Sequence, residues 1–149
     1  MTHPSLARRF AAIGYDALIL MAISMLYGFI VVGINLAVNG SPPMGERVSW
    51  AGLEPLVFLG WLSTQIGFYC YFWQRTGQTV GMKTWRLQVI TMDAHHPTYK
   101  QCLTRSVLAL ISFSALGLGY WYSLLDKNKQ TLHDRLSKTQ TILLPKKKK

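Results

Sequence analysis

The chain has 149 residues, half of them apolar, and its 16 Lys and Arg outnumber six Asp and Glu to give a formal charge of +10. The length suits one ordinary domain, but the apolar residues gather in long uncharged runs instead of recurring at helix or strand period, which excludes a soluble fold and points to a single membrane domain over residues 1–149. The basic residues flank those runs and no nucleic-acid motif accompanies them, so the expected counter-charge is the anionic head groups of a bilayer, and no nucleic-acid partner is expected.

The first apolar run, residues 10–38, follows Arg8 and Arg9 and carries one charge near its start, Asp16. About 20 apolar residues cross the hydrocarbon of a bilayer, so this run spans with room to tilt. It is too long for a signal peptide and reads as a retained anchor. Asn39-Gly40-Ser41-Pro42-Pro43 then breaks the helix.

The second run, residues 51–73, opens on Glu54 and Pro55, which suit a helix N-terminus, and closes on the aromatic cluster Phe68 to Trp73, which suits a membrane interface. Gly60, Ser63 and Gly67 give it a face of small residues fit for close helix packing, here between copies of the chain. The third run, residues 106–125, is uncharged but interrupted by Ser112, Ser114, Gly117 and Gly119. Short strands are expected at 85–90 and 139–144, with a short helix at 131–136. The fold class is therefore an all-α integral membrane protein with two transmembrane helices, a third spanning or re-entrant helical segment, and a short cytoplasmic strand pair.

Flanking charge places the N-terminus and the segment after the second run in the cytoplasm of a cell (inner) membrane protein. Three plain crossings would put the basic tail, residues 126–149, outside. A third run that enters and returns around Ser112 to Gly119 removes that conflict and lets the two strands pair on one side.

Polar residues inside apolar runs are where function is expected. Asp16 is costly in hydrocarbon unless answered by a partner, and Arg105, Gln65, Thr64, Tyr15 and Tyr69 are candidates. Arg9 lies seven residues before Asp16, on nearly the same helix face but about 10 Å away along the axis, too far for a direct pair. As a bare residue Arg9 reads as a topology anchor that snorkels to the interface.

Other constellations are weaker. Thr76 to Lys83 has the glycines and lysine of a phosphate loop without its spacing or a preceding strand, so Gly77 and Gly81 read as turn residues where the chain leaves the bilayer. His95 and His96 beside Asp93 read as a solvated turn, His133-Asp134 lacks a placed nucleophile, and Cys70 and Cys102 stand outside any CxxC or zinc spacing. No catalytic residue, metal or cofactor is expected, and no enzyme.

Arg9-Phe10-Ala11-Ala12 with Asp16, Gly77-Gln78-Thr79-x-Gly81-Met82-Lys83-x-Trp85-x-Leu87, Arg105, and Gln130-x-Leu132-His133-Asp134-Arg135-Leu136 with Thr139 together resemble the RDD family of membrane proteins. The resemblance implies that the arginine and two aspartates of the family's name are Arg9, Asp16 and Asp134, which form the expected polar or ion site. Gly77, Gly81, Arg105, His133 and Thr139 support it. One departure is that Lys138 stands where the family usually has a glycine.

Transport, including exchange of monovalent cations for protons, has been proposed for members of that family. Two functions are therefore expected in competition. One is ion or small-solute transport by a homo-oligomer, since two or three spans cannot enclose a pathway. The other is a non-transporting scaffold or accessory subunit that recruits a protein partner, of unknown identity, at the cytoplasmic face.

Overall fold

The computed structural model describes residues 4–114, 121–122 and 130–145. In chain order these form α1 (Leu6–Asn39), α2 (Glu54–Thr76), α3 (Val80–Thr84), β1 (Leu87–Thr91), α4 (Tyr99–Ser114), α5 (Leu132–Leu136) and β2 (Thr139–Leu143). They divide into two compact units. One comprises residues 18–65, and the other combines the start of the chain, up to Ala17, with the part from Ile66 onward.

Among the described residues, α1 is the one helix long and apolar enough to cross a membrane. It begins at Leu6, ahead of the expected Phe10, because Pro4-Ser5 starts the helix and the Arg9 N–H already reaches the Ser5 carbonyl at 3.3 Å. It ends at Asn39, where Gly40 turns to a φ of 78° and its N–H closes on the Leu36 carbonyl at 3.0 Å. Its 34 residues extend about 51 Å, well beyond a hydrocarbon thickness. The uncharged stretch after Asp16 leaves Leu18, Met21, Met25, Leu26, Phe29 and Ile30 exposed, the face a lipid-contacting helix presents.

In the unit of residues 18–65, polar tips on apolar side chains tie the α1 segment to the α2 segment. The Tyr27 hydroxyl donates to the Val57 carbonyl at 2.7 Å and the Trp61 indole N–H donates to Ser24 Oγ at 2.9 Å. Gly60 is part of this contact, since a Cβ there would strike the Tyr27 hydroxyl. This changes the face of small residues expected to join copies: Gly60 serves packing within its own chain, and the Ser63 hydroxyl bonds back to the Leu59 carbonyl.

The other unit is organised around a two-stranded antiparallel sheet in which Leu87 faces Leu143, Val89 faces Thr141 and Thr91 faces Thr139. Both strands lie close to their expected positions. β1 starts two residues late because Trp85 closes α3 and Arg86 takes a left-handed φ of 58°. Ala12, Cys70, Trp73, Met82, Leu87, Val89 and Cys102 make its apolar core.

α4 starts at Tyr99, seven residues before the expected run, and continues through Ser112 to Ser114 without a break. Gly117 and Gly119, on which the expected bend also rested, lie outside the described residues, as do residues 123–125 and the lysines at 127, 129 and 146–149.

Candidate functional site

The first turns of α1 carry Arg9 and Asp16 into the sheet-containing unit, and each finds a separate partner. Arg9 is not a snorkelling anchor. It is 6% exposed, and its Nη1 donates to Asp134 Oδ2 at 2.7 Å. Arg105, from α4, donates through Nη1 to Asp134 Oδ1 and to Thr139 Oγ1, the latter at 2.7 Å, and through Nη2 to Thr141 Oγ1 at 3.0 Å. Its guanidinium also lies over the Trp73 ring, 5.1 Å from the centroid.

Asp134 is aimed by its own helix. Thr131 is the N-cap of α5 and forms a capping box with Asp134, the residue three positions on. Burial pushes the Asp134 carboxyl up, but Arg105 and then Arg9 outweigh it and hold the group well below the usual carboxylate range. Beside it, the Thr131 hydroxyl accepts the Asp134 N–H and lies 2.9 Å from His133 Nε2, a hydrogen bond whose direction follows the imidazole tautomer. Burial first, and Arg105 second, push His133 down to about 3.

Both shifts make the fold acid-sensitive. His133 is neutral when folded but binds a proton in the unfolded chain below about 6.5, so stability falls as pH drops from there toward 3. The depressed Asp134 adds a further loss below about 4. Thermal melts of the purified protein between pH 8 and 4 should show this decline, with a slope approaching roughly 1.4 kcal/mol per pH unit from His133. His133→Gln should flatten the part above pH 5.

Asp16 is answered differently. It is 1% exposed, Oδ2 accepts the Thr79 hydroxyl at 2.5 Å and Oδ1 accepts the Gly81 N–H at 2.8 Å. None of the partners anticipated from sequence holds it. Gln65 bonds Ser24 and Thr64 inside the unit of residues 18–65, and Arg105 is committed to Asp134 and the strand threonines. Among the described residues Asp16 forms no ion pair.

The two glycines are not simple exit turns. Gly77 does end α2, at a φ of 70°, but it also lies on β1, where its carbonyl accepts the Val89 N–H at 2.8 Å and a Cβ would come to 2.7 Å from the Val89 carbonyl. Gly81 lies inside α3, and its missing side chain lets the helix approach α1, because a Cβ would collide with the Ala12 carbonyl. Thr79, Thr131 and Thr141 join the site without being nominated by sequence; for Thr131 alone, a threonine before a short helix with an acid three residues later is a legible capping signal.

Lys138 adopts a left-handed φ of 54°, a backbone shape that favours glycine. A side chain there costs about 1 kcal/mol. Lys138→Gly should therefore raise stability by about that amount in a denaturant titration, with the strand pair unchanged.

The described chain is predominantly helical, with one helix of a length and composition that can cross a membrane and whose first turns are tied into a buried polar network. The RDD family profile matches residues 3–138, and the chain belongs to the RDD family. Comparison with curated proteins and with solved structures gives no match.

Proposed function

We propose that this RDD protein takes part in ion or small-solute transport across the cell (inner) membrane, with Asp16 as the polar site and a homo-oligomer as the working unit. The observation that carries this is the state of Asp16, a buried carboxylate held by one hydroxyl and one amide and forming no ion pair among the described residues. Two neutral donors leave much of the cost of burying a charge unrelieved, and a monovalent cation or a proton relieves it. Asp134, by contrast, is fully neutralised by two arginines and serves architecture.

In this proposal α1 and α2 both cross the bilayer and the N-terminus is cytoplasmic. Paired strands must lie on one side of a membrane, so the β1–β2 pairing supports a C-terminal strand on the same, cytoplasmic, side as β1. Exposed Lys83, Lys100, Arg135 and Lys138 then meet anionic head groups. With Gly60 engaged in its own chain, the contact between copies uses other parts of the lipid-facing surface. No enzymatic activity is proposed.

The test is flux through the purified protein in liposomes. Asp16→Asn should reduce cation-coupled flux at least about tenfold, an effect of about 1.4 kcal/mol, and unchanged flux would sink the proposal. A second reading, the non-transporting scaffold, is favoured by one observation: both Asp16 oxygens are used in securing α3. It requires instead that Asp16→Asn lower abundance, that wild type carry no flux, and that one partner protein copurify in fixed ratio.

A further inference from the structure

The segments before β1 and β2 have the same construction. Each has an N-cap threonine, a five-residue helix, a closing residue, a basic residue in the left-handed region, and a five-residue strand. Thr79 and Thr131 cap with φ, ψ of −77°, 175° and −78°, 161°, and Trp85 and Ser137 close the helices at −96°, 6° and −85°, 0°. Arg86 and Lys138 follow at φ 58° and 54°, each donating its N–H over 3.2 Å to the carbonyl of the residue three positions back.

The sequence repeats in step. The separation that relates Thr79 to Thr131 also relates Gln78 to Gln130, Lys83 to Arg135, Arg86 to Lys138, Gln88 to Gln140 and Ile90 to Ile142. The strand register obeys the same relation: Val89 faces its own equivalent, Thr141, while Gln88 faces Ile142 and Ile90 faces Gln140. A local two-fold axis therefore passes through the Val89–Thr141 pair.

The two halves differ where α1 meets them. In the first, the Thr79 hydroxyl donates to Asp16 of α1, and Met82 occupies the third helical position. In the second, the Thr131 hydroxyl serves His133 from its own helix, and the third position is Asp134, which takes Arg9 of α1. We propose that residues 78–91 and 130–143 are two copies of one capped helix–strand unit, together forming a two-point clamp on the start of α1, the first copy holding Asp16 and the second holding Arg9.

The clamp deepens the transport proposal and rests on it for its use. A cation taken up by Asp16 competes with the Thr79 and Gly81 donors, so it loosens the first copy alone. α1 stays tethered through Arg9 and Asp134 and pivots there instead of detaching. Site occupancy is thereby converted into movement of the helix that crosses the membrane.

Hydrogen exchange read by mass spectrometry on the purified full chain tests the clamp. In Asp16→Asn, the amides of residues 79–85 should exchange about five- to tenfold faster, the effect of losing the carboxylate that holds Thr79 and Gly81, while those of 131–137 stay within about twofold of wild type. Arg9→Gln should give the reverse. If Asp16→Asn does not fold, Thr79→Val and Thr131→Val carry the same test, each loosening its own copy. Both segments responding together in every variant would overturn the clamp. Flux separates the two proposals. One-sided loosening with Asp16→Asn flux intact keeps the clamp and ends the transport role, whereas joint loosening with flux lost does the opposite.

Discussion

Asp134→Ala is expected to be the most damaging single substitution in the protein, lowering stability by about 3–5 kcal/mol and abolishing the folded state in all but the mildest detergents. The carboxylate is fully buried and answers two guanidiniums that are themselves 5–6% exposed, so its removal takes away the counter-charge that both share. It also removes one arm of the α5 capping box and an acceptor for the Thr141 hydroxyl. Asp134→Asn keeps the shape but not the charge and should fall between alanine and wild type. Arg105→Met should be severe for a related reason, since the Thr139 and Thr141 hydroxyls would lose their donor and the Trp73 ring its cation. Melting curves in detergent, taken for the three variants together, check the order.

Gly81→Ala is expected to cost about 1–3 kcal/mol although it adds one methyl group. The added Cβ would meet the Ala12 carbonyl, which is backbone in a regular helix and cannot swing aside, and would stand 3.0 Å from Asp16 Oδ1. α3 would have to retreat from α1, stretching the Gly81 N–H bond to Asp16 and the Thr79 bond beside it. Gly67→Ala is the control. It too is a helical glycine, but a Cβ there meets nothing within 4 Å, so the change should be neutral or slightly stabilising through helix propensity. A loss at Gly81 with none at Gly67, in the same unfolding assay, separates close approach from a general intolerance of larger residues.

What the sequence reveals of this architecture follows from how local each cause is. The apolar run of α1 and the β-branched run of β1 are local, and both are legible to within a few residues. The cap of α5 is local as well, because Thr131 and Asp134 sit three residues apart. The pairing of Arg9 with Asp134 crosses 125 residues, and only the family resemblance connects them. Asp16 illustrates the limit best. Its need for a partner follows from the cost of burying charge, but its partner is a threonine hydroxyl and a glycine amide in a segment that reads by composition as a mere exit turn. Backbone donors carry no side-chain signature, so they cannot be nominated by residue type.

In the proposed division of labour among three charged residues, Arg9 and Asp134 hold the fold and Asp16 serves the transported species. Stability and reconstituted flux measured side by side on Asp16→Asn test it most directly. The expected result is a protein that folds with a melting temperature close to wild type yet carries no cation-coupled flux. An Asp16→Asn protein that conducts as well as wild type, or a wild type that conducts nothing while Asp16→Asn unfolds, would contradict it.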